Sequence, residues 1–344
     1  MISLTIDVSH LKVNHKVANV FSVLFLFSII LIIGLRGIDV GTDTIEYYTY
    51  KWQMELYTDT SEILLDSVVK TAKYFSFSFS VVLLFISFLY YYFFYKSFTI
   101  FAKYYNVLPI LIFFILISLF FSLSMGINVI RQGVSLAFIM YSLALLEIIK
   151  SKKWSIFYAI LAIISHTTAI IPLLLYLFCK LFTKRINIKY FYYLFVLGVI
   201  FSAINLGLLN VAPFLNDVLQ GSRRSGYLTQ SSEIYSVGFK PQFVAFNTIF
   251  LVFIVFIKSK LEKKHVSEEM LDFYNLLIKY YIVSSFIFFM AFQIPYSDRW
   301  GLFSWVVIPI LIAPAFSIQY RIFNKTILSI FFIFIYIFFQ YYGS

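Results

Sequence analysis

The stretch LRGIDVGTDTIEYY, residues 35–48, decides how the rest of the chain is interpreted. It is polar, it carries one arginine and three carboxylates around two glycines, and it follows directly on an apolar run from Val17 to Leu35. Nearly everything after it is apolar sequence interrupted by short charged clusters. A charged segment in this setting needs a specific role, and we interpret it as one side of an active site that faces away from the cytoplasm.

The composition is that of a membrane protein. Of the 344 residues, 61% are hydrophobic and only 12% are charged, whereas a soluble domain has about a quarter charged residues. Uncharged runs are close to or above the roughly 20 residues that a helix needs to cross about 30 Å of hydrocarbon. They lie at residues 74–95, 104–130, 154–179, 190–216, 241–257 and 300–320. The sequence therefore predicts an all-α, polytopic helical bundle with about ten transmembrane segments, in a single integral membrane domain over residues 1–344.

The net charge of +11 does not indicate a nucleic-acid partner. Lys and Arg sit in short loops between apolar runs, which is the positive-inside distribution of membrane proteins. The single cysteine, Cys179, excludes a disulfide framework and a cysteine-based metal site. No nucleotide-binding loop is present, and the histidines at positions 10, 15 and 265 fall at the face opposite to the candidate site. We expect neither a metal nor a cofactor.

The basic residues predict which loops face outside. Lys12 and Lys16 hold the start of the first helix in the cytoplasm, so that the loop of about residues 36–73 lies outside. That loop has four basic and seven acidic residues, and a loop with so few basic residues is expected on the outside. Its second half places apolar residues in helical spacing after Asp59, and this predicts an amphipathic helix on the outer interface. A second outer loop is predicted at about residues 210–240.

The run from Trp154 to Cys179 allows two topologies, because a basic cluster flanks it on each side. It forms either a hairpin of two half-helices broken near His166 or one long kinked helix. Backbone broken at that depth is tolerated only against protein or a wet cavity. The other helices are predicted at about residues 17–35, 74–95, 107–123, 131–149, 190–209, 241–257, 273–292 and 301–316, with a last one ending near 340.

On this topology several charged residues converge on the outer ends of the helices. Charges near hydrocarbon cost several kcal/mol unless they are paired or wet, so that their first interpretation is a functional site. Arginine suits phosphate oxygens because its planar fork binds two of them and keeps its charge. The alternative is that each arginine is an interfacial anchor or forms an ion pair, such as Asp298 with Arg299. The converging residues are Arg36, Asp43, Arg131, Arg223, Arg224 and Arg299, with Gln132 beside Arg131.

Two residues are candidates for proton transfer, and each has a structural alternative. Asp43 is placed to cap the following helix, or to act as a general base or an acceptor for a sugar hydroxyl. His166, between hydroxyl residues in an apolar run, is either a packed neutral imidazole or a group for acid/base chemistry or diphosphate binding.

These residues resemble the signatures of a known family. Arg36 followed by VGTDT at 40–44 and Tyr47 is similar to the first-loop signature of EpsG-type, Wzy-like polysaccharide polymerases. The pattern NxxRQG at 128–133 and SHTTAI at 165–170 resemble the next two signatures. The resemblance covers about residues 30–180; the later half matches in hydropathy and in an arginine before a late helix, Arg299. Thr167 departs from the hydrophobic residue that usually follows the histidine.

The resemblance implies a GT-C-like bundle and a glycosyltransferase at the outer face of the bacterial cytoplasmic membrane. Oligosaccharide repeat units on undecaprenyl diphosphate would be joined in exopolysaccharide, capsule or O-antigen synthesis, without a metal or cofactor. A flippase and a chain-length regulator are the implied protein partners, beside the lipid bilayer. The implied catalytic residues are Asp43, His166 and Arg131, and those implied to bind diphosphate and sugar are Arg36, Gln132, Arg223, Arg224 and Arg299.

Two other functions compete with this one. A transporter of lipid-linked oligosaccharide also needs outer arginines, but it would show polar residues through the full membrane depth and related halves. An integral membrane acyltransferase that modifies the polysaccharide would use His166 as its base. It would need a second acidic or histidine partner at the same depth, and the sequence offers none.

Overall fold

A computed structural model describes residues 15–56, 63–211 and 237–317 and a few isolated positions between 319 and 337. Within these ranges every regular element is a helix, which confirms the all-α fold class. The chain divides into two compact units, Met1–Leu173 with Ile312–Ser344, and Leu174–Leu311. Each unit is described by itself, and the single domain over the whole length stays a prediction.

The first unit begins with a long helix and a polar loop. Its elements are α1 (His15–Gly34), α2 (Thr42–Glu46), a π-helix (Tyr47–Gln53), α3 (Ile63–Tyr74), α4 (Phe79–Tyr105), α5 (Pro109–Ser118), α6 (Phe120–Ile127), α7 (Ile130–Glu147) and α8 (Lys152–Ser165). A 3-10 turn at Thr167–Ala169 leads into α9 (Ile170–Phe182), and the boundary between the units falls within α9. Helix α4 is central, because α1, α5 and α7 all pack against it.

The second unit is built around one long helix. Its elements are α10 (Ile188–Ala203), α11 (Leu208–Val211), α12 (Pro241–Lys263), α13 (Glu268–Met290), α14 (Asp298–Trp305) and α15 (Ile308–Ile312). Helices α10, α12 and α14 all contact α13. Trp305, 1% exposed, lies in an aromatic cluster with Phe243, Phe246 and Phe288. The fold is thus a polytopic helical membrane protein.

The described residues include five helices that are long and apolar enough to cross a membrane. They are Phe79–Tyr105, Ile130–Glu147, Pro241–Lys263, Glu268–Gln293 and Asp298–Phe316. The bent pair Pro109–Ser118 and Phe120–Ile127 would make a sixth if it is one span. The expected number of about ten segments is therefore not confirmed, and the predicted last helix near residue 340 lies outside the described residues.

The second predicted helix was placed too early in the chain. It was expected at about 74–95, but α4 runs from Phe79 to Tyr105 and carries Lys96 and Lys103 inside it. Lysine is a good helix former and its long stem can lie along apolar surface; the Lys96 ammonium sits 5.5 Å from the centroid of the Tyr92 ring. The helix ends where Asn106 adopts a left-handed conformation with φ 54°, which is a common C-terminal signal.

The third predicted helix, at about 107–123, is broken. Helices α5 and α6 meet at Leu119 with a bend of 83°, although neither glycine nor proline occurs there. The Ser118 hydroxyl donates to the carbonyl of Phe114 one turn earlier, and such bonds often bend helices. The Tyr90 hydroxyl from α4 donates to the Ser122 carbonyl at 2.9 Å. The bend is thus accompanied by one local hydrogen bond and by one contact between helices.

The run of residues 154–179 breaks at the predicted residue. His166 is extended, with φ −161° and ψ 122°, between the end of α8 and the 3-10 turn. Helix α8 packs along α7 in the opposite direction, since Ser142 bonds to Ser155 and Ser165 lies beside Arg131 and Val134. The chain therefore returns to the start of α7 at His166. The choice between a hairpin and a kinked helix stays open.

The amphipathic helix predicted in the first loop is present as α3. Its buried face consists of Leu65, Asp66, Val69 and Ala72, and it contacts α4, α8 and the π-helix. The predicted cap at Asp59 lies outside the described residues. The apolar face of α3 packs on protein, and its position at an outer interface stays a prediction.

Candidate functional site

Arg36 fastens the first loop to the end of α6. Its Nε and Nη2 donate to Thr44 Oγ1 at 3.3 and 3.0 Å, and its Nη1 donates to the carbonyl of Ile33 at 2.8 Å. Nη2 also reaches the carbonyl of Ile127 at 3.5 Å, which accepts a bond from Thr44 as well. Burial lowers the pKa of Arg36, and the nearby Tyr91 opposes that shift. Most of its donors are thus used inside the protein.

Gly41 lets the loop approach Asn128. The amide of Thr42 donates to Asn128 Oδ1 at 3.1 Å. Gly41 has φ +90°, and a Cβ there would lie 2.6 Å from Asn128 Oδ1 and 2.5 Å from Ile127 Cγ2. A side chain would be strained in that conformation and would collide with the residues to which the loop is bound. The glycine therefore brings the first loop against the residues that precede α7.

The loop places Asp43 next to Arg131 through Tyr47. Arg131 Nε donates to the Tyr47 hydroxyl at 2.7 Å, and its guanidinium carbon lies 5.3 Å from the ring centroid. The Tyr47 hydroxyl donates to Asp43 Oδ2 at 3.4 Å. Asp43 and Tyr47 are four residues apart and so share one face across the junction of α2 and the π-helix. A carboxylate, a phenol and a guanidinium thus form one continuous chain of contacts.

A small cavity adjoins Arg131. It is lined by Leu64, Leu65, Ile86, Ile130, Arg131, Val134 and Ser165, which come from α3, α4, α7 and α8. Its volume of about 10 Å³ is at the lower limit for one water molecule. The surface of the cavity is apolar, and the Ser165 hydroxyl donates to the carbonyl of Leu161 in its own helix.

The start of α7 is packed tightly because of one glycine. A Cβ on Gly133 would lie 2.5 Å from the carbonyl oxygen of Met125. Gln132 is 3% exposed, so that it faces the interior of the unit, while Arg131 on the preceding position is half-buried. The sequence prediction that Gln132 binds substrate therefore requires a ligand that reaches a buried side chain.

His166 lies at the break after α8, next to Ser165 of the cavity lining. Its side chain is half-buried. Close to it, Thr168 Oγ1 is buried and makes no hydrogen bond within the described part of the chain. The 3-10 turn that carries Thr168 contacts α7. The break thus brings an imidazole and a buried hydroxyl to the end of α7 at which Arg131 lies.

A buried ion pair supports the π-helix. Lys51 Nζ lies 3.0 Å from Asp66 Oδ1, and the two side chains are only 7% and 11% exposed. Lys51 is in the π-helix and Asp66 in α3. A second pair, Lys73 with Glu55, links α3 to the residues just after the π-helix, nearer the surface. Both pairs attach α3, which supplies Leu64 and Leu65 to the cavity, to the segment that carries Tyr47.

Arg299 belongs to the second unit. Its guanidinium carbon lies 4.8 Å from the centroid of the Tyr296 ring. Nearby, Lys240 Nζ donates to Ser297 Oγ at 2.8 Å, and burial lowers the pKa of Lys240 while the charge of Asp298 opposes that shift. Arg223 and Arg224 lie outside the described residues. The structure thus brings together Arg36, Asp43, Arg131, Gln132 and His166 in one unit, and the convergence of the other arginines on them stays a prediction.

Several residues of the site were not among the predicted ones. Tyr47, Thr44 and Asn128 belong to the stretches that resemble the family signatures, and Tyr47 also lies four residues from Asp43, which places both on one helix face. The pair Lys51 and Asp66 gave no comparable signal, because neither belongs to those stretches and they lie in different helices. Within the described ranges, no three His, Cys, Asp or Glu side chains come together as metal ligands would.

A comparison with protein families matches the model of the EpsG family over residues 19–344, which is nearly the whole chain. No curated protein and no solved structure matches the chain.

Proposed function

Because the chain belongs to the EpsG family, we propose that it is a membrane glycosyltransferase that polymerises polysaccharide at the outer face of the bacterial cytoplasmic membrane. Its substrates are oligosaccharide repeat units carried on undecaprenyl diphosphate. The polymer would belong to an exopolysaccharide, a capsule or an O-antigen. A flippase that delivers the units and a regulator of chain length are the proposed protein partners.

One observation supports this function most: Asp43, Tyr47 and Arg131 are in contact beside the Arg131 cavity. A carboxylate next to an arginine offers the two groups that the reaction needs. Arginine stabilises a departing diphosphate by binding its oxygens and matching its charge. A carboxylate takes the proton of an attacking hydroxyl if it lies within hydrogen-bonding reach.

The proposed reaction needs no oxidant and no cofactor. The bond between the anomeric carbon of the growing chain and its diphosphate breaks, and the electron pair leaves with the diphosphate. A hydroxyl oxygen of the next unit forms the new bond to that carbon, and its proton passes to Asp43. The alternative proton acceptor is His166, at the break after α8. It directly follows Ser165, which lines the cavity.

The contacts of Arg36 suggest a different role from the one expected. Four of its five N–H donors are directed at Thr44, Ile33 and Ile127. We therefore propose that Arg36 holds the first loop in place for Asp43, and that Arg131 is the residue of this unit that meets the diphosphate. Arg299, Arg223 and Arg224 remain proposed contacts for diphosphate or sugar.

Two variants test the proposal in cells that carry the polymer pathway. Arg131→Ala and His166→Ala are each expected to leave the amount of protein unchanged and single repeat units on the lipid carrier. Arg185→Ala, an exposed arginine after α9, serves as the matched control and should make polymer of normal length. Long polymer in both site variants would refute the catalytic assignment.

The transporter remains the second candidate, because polar side chains occur inside the apolar helices of the second unit. Lys279, 6% exposed, lies within α13, and Asn247, 0% exposed, lies within α12. Both have internal partners: Lys279 donates to the carbonyl of Thr183, and Asn247 bonds to Phe243 and Tyr281. An assay in proteoliposomes distinguishes the two functions. A transporter moves lipid-linked units across the membrane without joining them, whereas a polymerase joins them on one side.

A further inference from the structure

Tyr47 lies between the two groups on which the proposed chemistry depends. Its hydroxyl accepts a hydrogen bond from Arg131 Nε at 2.7 Å and donates one to Asp43 Oδ2 at 3.4 Å. The residue is 6% exposed, so that water competes little for these contacts. Neither its charge nor its hydropathy distinguishes it from the 27 tyrosines of the chain.

We propose that Tyr47 is a positioning residue, whose hydroxyl holds the Asp43 carboxylate and the Arg131 guanidinium in the arrangement that the transfer requires. This inference rests on the proposed function and deepens it. By engaging Nε, the hydroxyl sets the rotation of the guanidinium plane. The rotation of that plane decides the directions in which the two terminal nitrogens, which carry the other four N–H donors, can donate.

The backbone fixes the place of the hydroxyl from both ends. Tyr47 is the first residue of the π-helix, and its amide donates to the carbonyls of Asp43 and Thr44. The other end of the π-helix is tied to α3 by the buried pair of Lys51 and Asp66. Single π-helical turns are rare and are often found at functional sites. The turn places the Tyr47 hydroxyl within reach of Asp43, four residues earlier, and of Arg131 in α7.

Tyr47 keeps its proton throughout the proposed reaction. Before transfer, its O–H group donates to the negative carboxylate of Asp43. After transfer the carboxyl group holds the proton from the acceptor hydroxyl, and its other oxygen still accepts from Tyr47. Arg131 donates to the phenol oxygen in both states. Loss of the hydroxyl therefore changes the geometry of the two groups and leaves the number of transferred protons the same.

A double-mutant cycle tests this role in the purified full-length protein with a synthetic lipid-linked oligosaccharide. Tyr47→Phe keeps the ring against the guanidinium and removes only the oxygen. We expect it to lower turnover about tenfold, and Arg131→Lys to lower it about a hundredfold. If Tyr47 acts through Arg131, the turnover of the double variant is within about twofold of the turnover of Arg131→Lys alone.

The control is Tyr50→Phe, in the same π-helix but 52% exposed, which should keep full turnover. If Tyr47 served only for packing, Tyr47→Phe would lower the melting temperature. Its loss of turnover would then multiply with the loss caused by Arg131→Lys. Unchanged turnover in Tyr47→Phe, or a multiplied loss in the double variant, would overturn the proposal.

A binding measurement separates this inference from the proposed function. If the wild-type protein joins no units, the same cycle is measured as the dissociation constant for undecaprenyl diphosphate in detergent. Weaker binding in Tyr47→Phe, with no further loss on top of Arg131→Lys, supports the positioning role even though polymerisation has failed. Equal binding in all variants, or no binding by the wild type, overturns it.

Discussion

At the scale of single residues, Gly41 determines how closely the first loop can approach Asn128. Its backbone has φ +90° and ψ 137°, a region that is open almost only to glycine and costs other residues about 1–3 kcal/mol. A Cβ would also meet Ile127 and Asn128. The contact of Thr42 with Asn128, and through it the position of Asp43, therefore depends on this one residue.

Gly41→Ala is accordingly expected to lower thermal stability in detergent and to reduce polymer formation. Gly37→Ala is the matched control in the same loop. The close contact of a Cβ there is with the end of the Asp39 side chain, which can rotate away, and Val40 Cγ2 lies at an ordinary contact distance of 4.0 Å. Equal behaviour of the two variants in melting temperature and polymer length would contradict the proposed constraint at Gly41.

The pair of Lys51 and Asp66 gives a second test at this scale. Removing one member leaves the other charge buried, which costs about 3–5 kcal/mol. Asp66→Asn and Lys51→Met should each lower the unfolding temperature strongly. The double variant Lys51→Met with Asp66→Leu should regain much of it, because no buried charge remains. The measurement is thermal unfolding of the purified protein, and an unchanged melting temperature in both single variants would contradict the assignment.

At the scale of elements, α3 closes the cavity beside Arg131. Leu64 and Leu65 of α3 line this cavity together with Val134 of α7 and Ser165 of α8. With a volume of about 10 Å³, the cavity has no room for a diphosphate. A lipid diphosphate can therefore reach the guanidinium from this side only if α3 moves away from α8.

Cross-linking tests this motion. Cysteines at Leu64 and Ser165, in a background with Cys179→Ser, can be joined by a short thiol-reactive linker with a reducible bond. Joining them should abolish polymerisation, and reduction of the linker should restore it. A linked protein that is fully active would show that substrate enters elsewhere. The two single-cysteine variants treated with the same reagent are the controls.

The helices of the second unit are joined by a polar network around Asn247. Its Oδ1 accepts from Ser285 at 3.0 Å, from Tyr281 at 3.3 Å and from Ser304 at 3.4 Å. The network thus connects α12 with α13 and α14. In a membrane, where apolar surface cannot distinguish a neighbouring helix from lipid, such bonds contribute to the choice of partner helix.

Asn247→Ala removes the side-chain acceptor of Ser285, while Tyr281 keeps the backbone carbonyl of residue 247 and Ser304 keeps the carbonyl of Gly301. We expect a loss of about 1–2 kcal/mol in stability, measured by unfolding in detergent. Thr248→Ala is the control, since that hydroxyl is exposed and donates to Val244 within its own helix. An equally large loss of stability in Thr248→Ala would show that the hydrogen bonds of Asn247 contribute no more than an ordinary surface hydroxyl.

At the scale of the whole molecule, the proposed function requires the first loop to face outside. The exposed residues Asp39 and Lys152 lie before α2 and at the start of α8. In a Cys179→Ser background, a cysteine at 39 should react with a membrane-impermeant thiol reagent in intact cells. A cysteine at 152 should react only after the membrane is opened. The reverse pattern would place the site on the cytoplasmic side and refute the proposal.

The sequence by itself determined the fold class and singled out candidate residues of the site, whose roles stay predictions. Long uncharged runs can satisfy their backbone in hydrocarbon only as helices, so that the all-α membrane fold follows from composition. Asp43 was singled out because it lies in the charged first loop, and Arg131 and His166 because a charge or a polar break in such runs is costly. The break at His166 was located for the same reason.

The tertiary structure alone decided how these residues meet. Tyr47 joins Asp43 to Arg131 across 84 positions of sequence, and Lys51 pairs with Asp66 of another helix. The bend of 83° between α5 and α6 was not predicted, and it lies where Tyr90 of α4 donates to the carbonyl of Ser122. The physical reason is that apolar periodicity is nearly absent in helices that are hydrophobic all round, so that partners are chosen by individual hydrogen bonds, glycine contacts and buried charges.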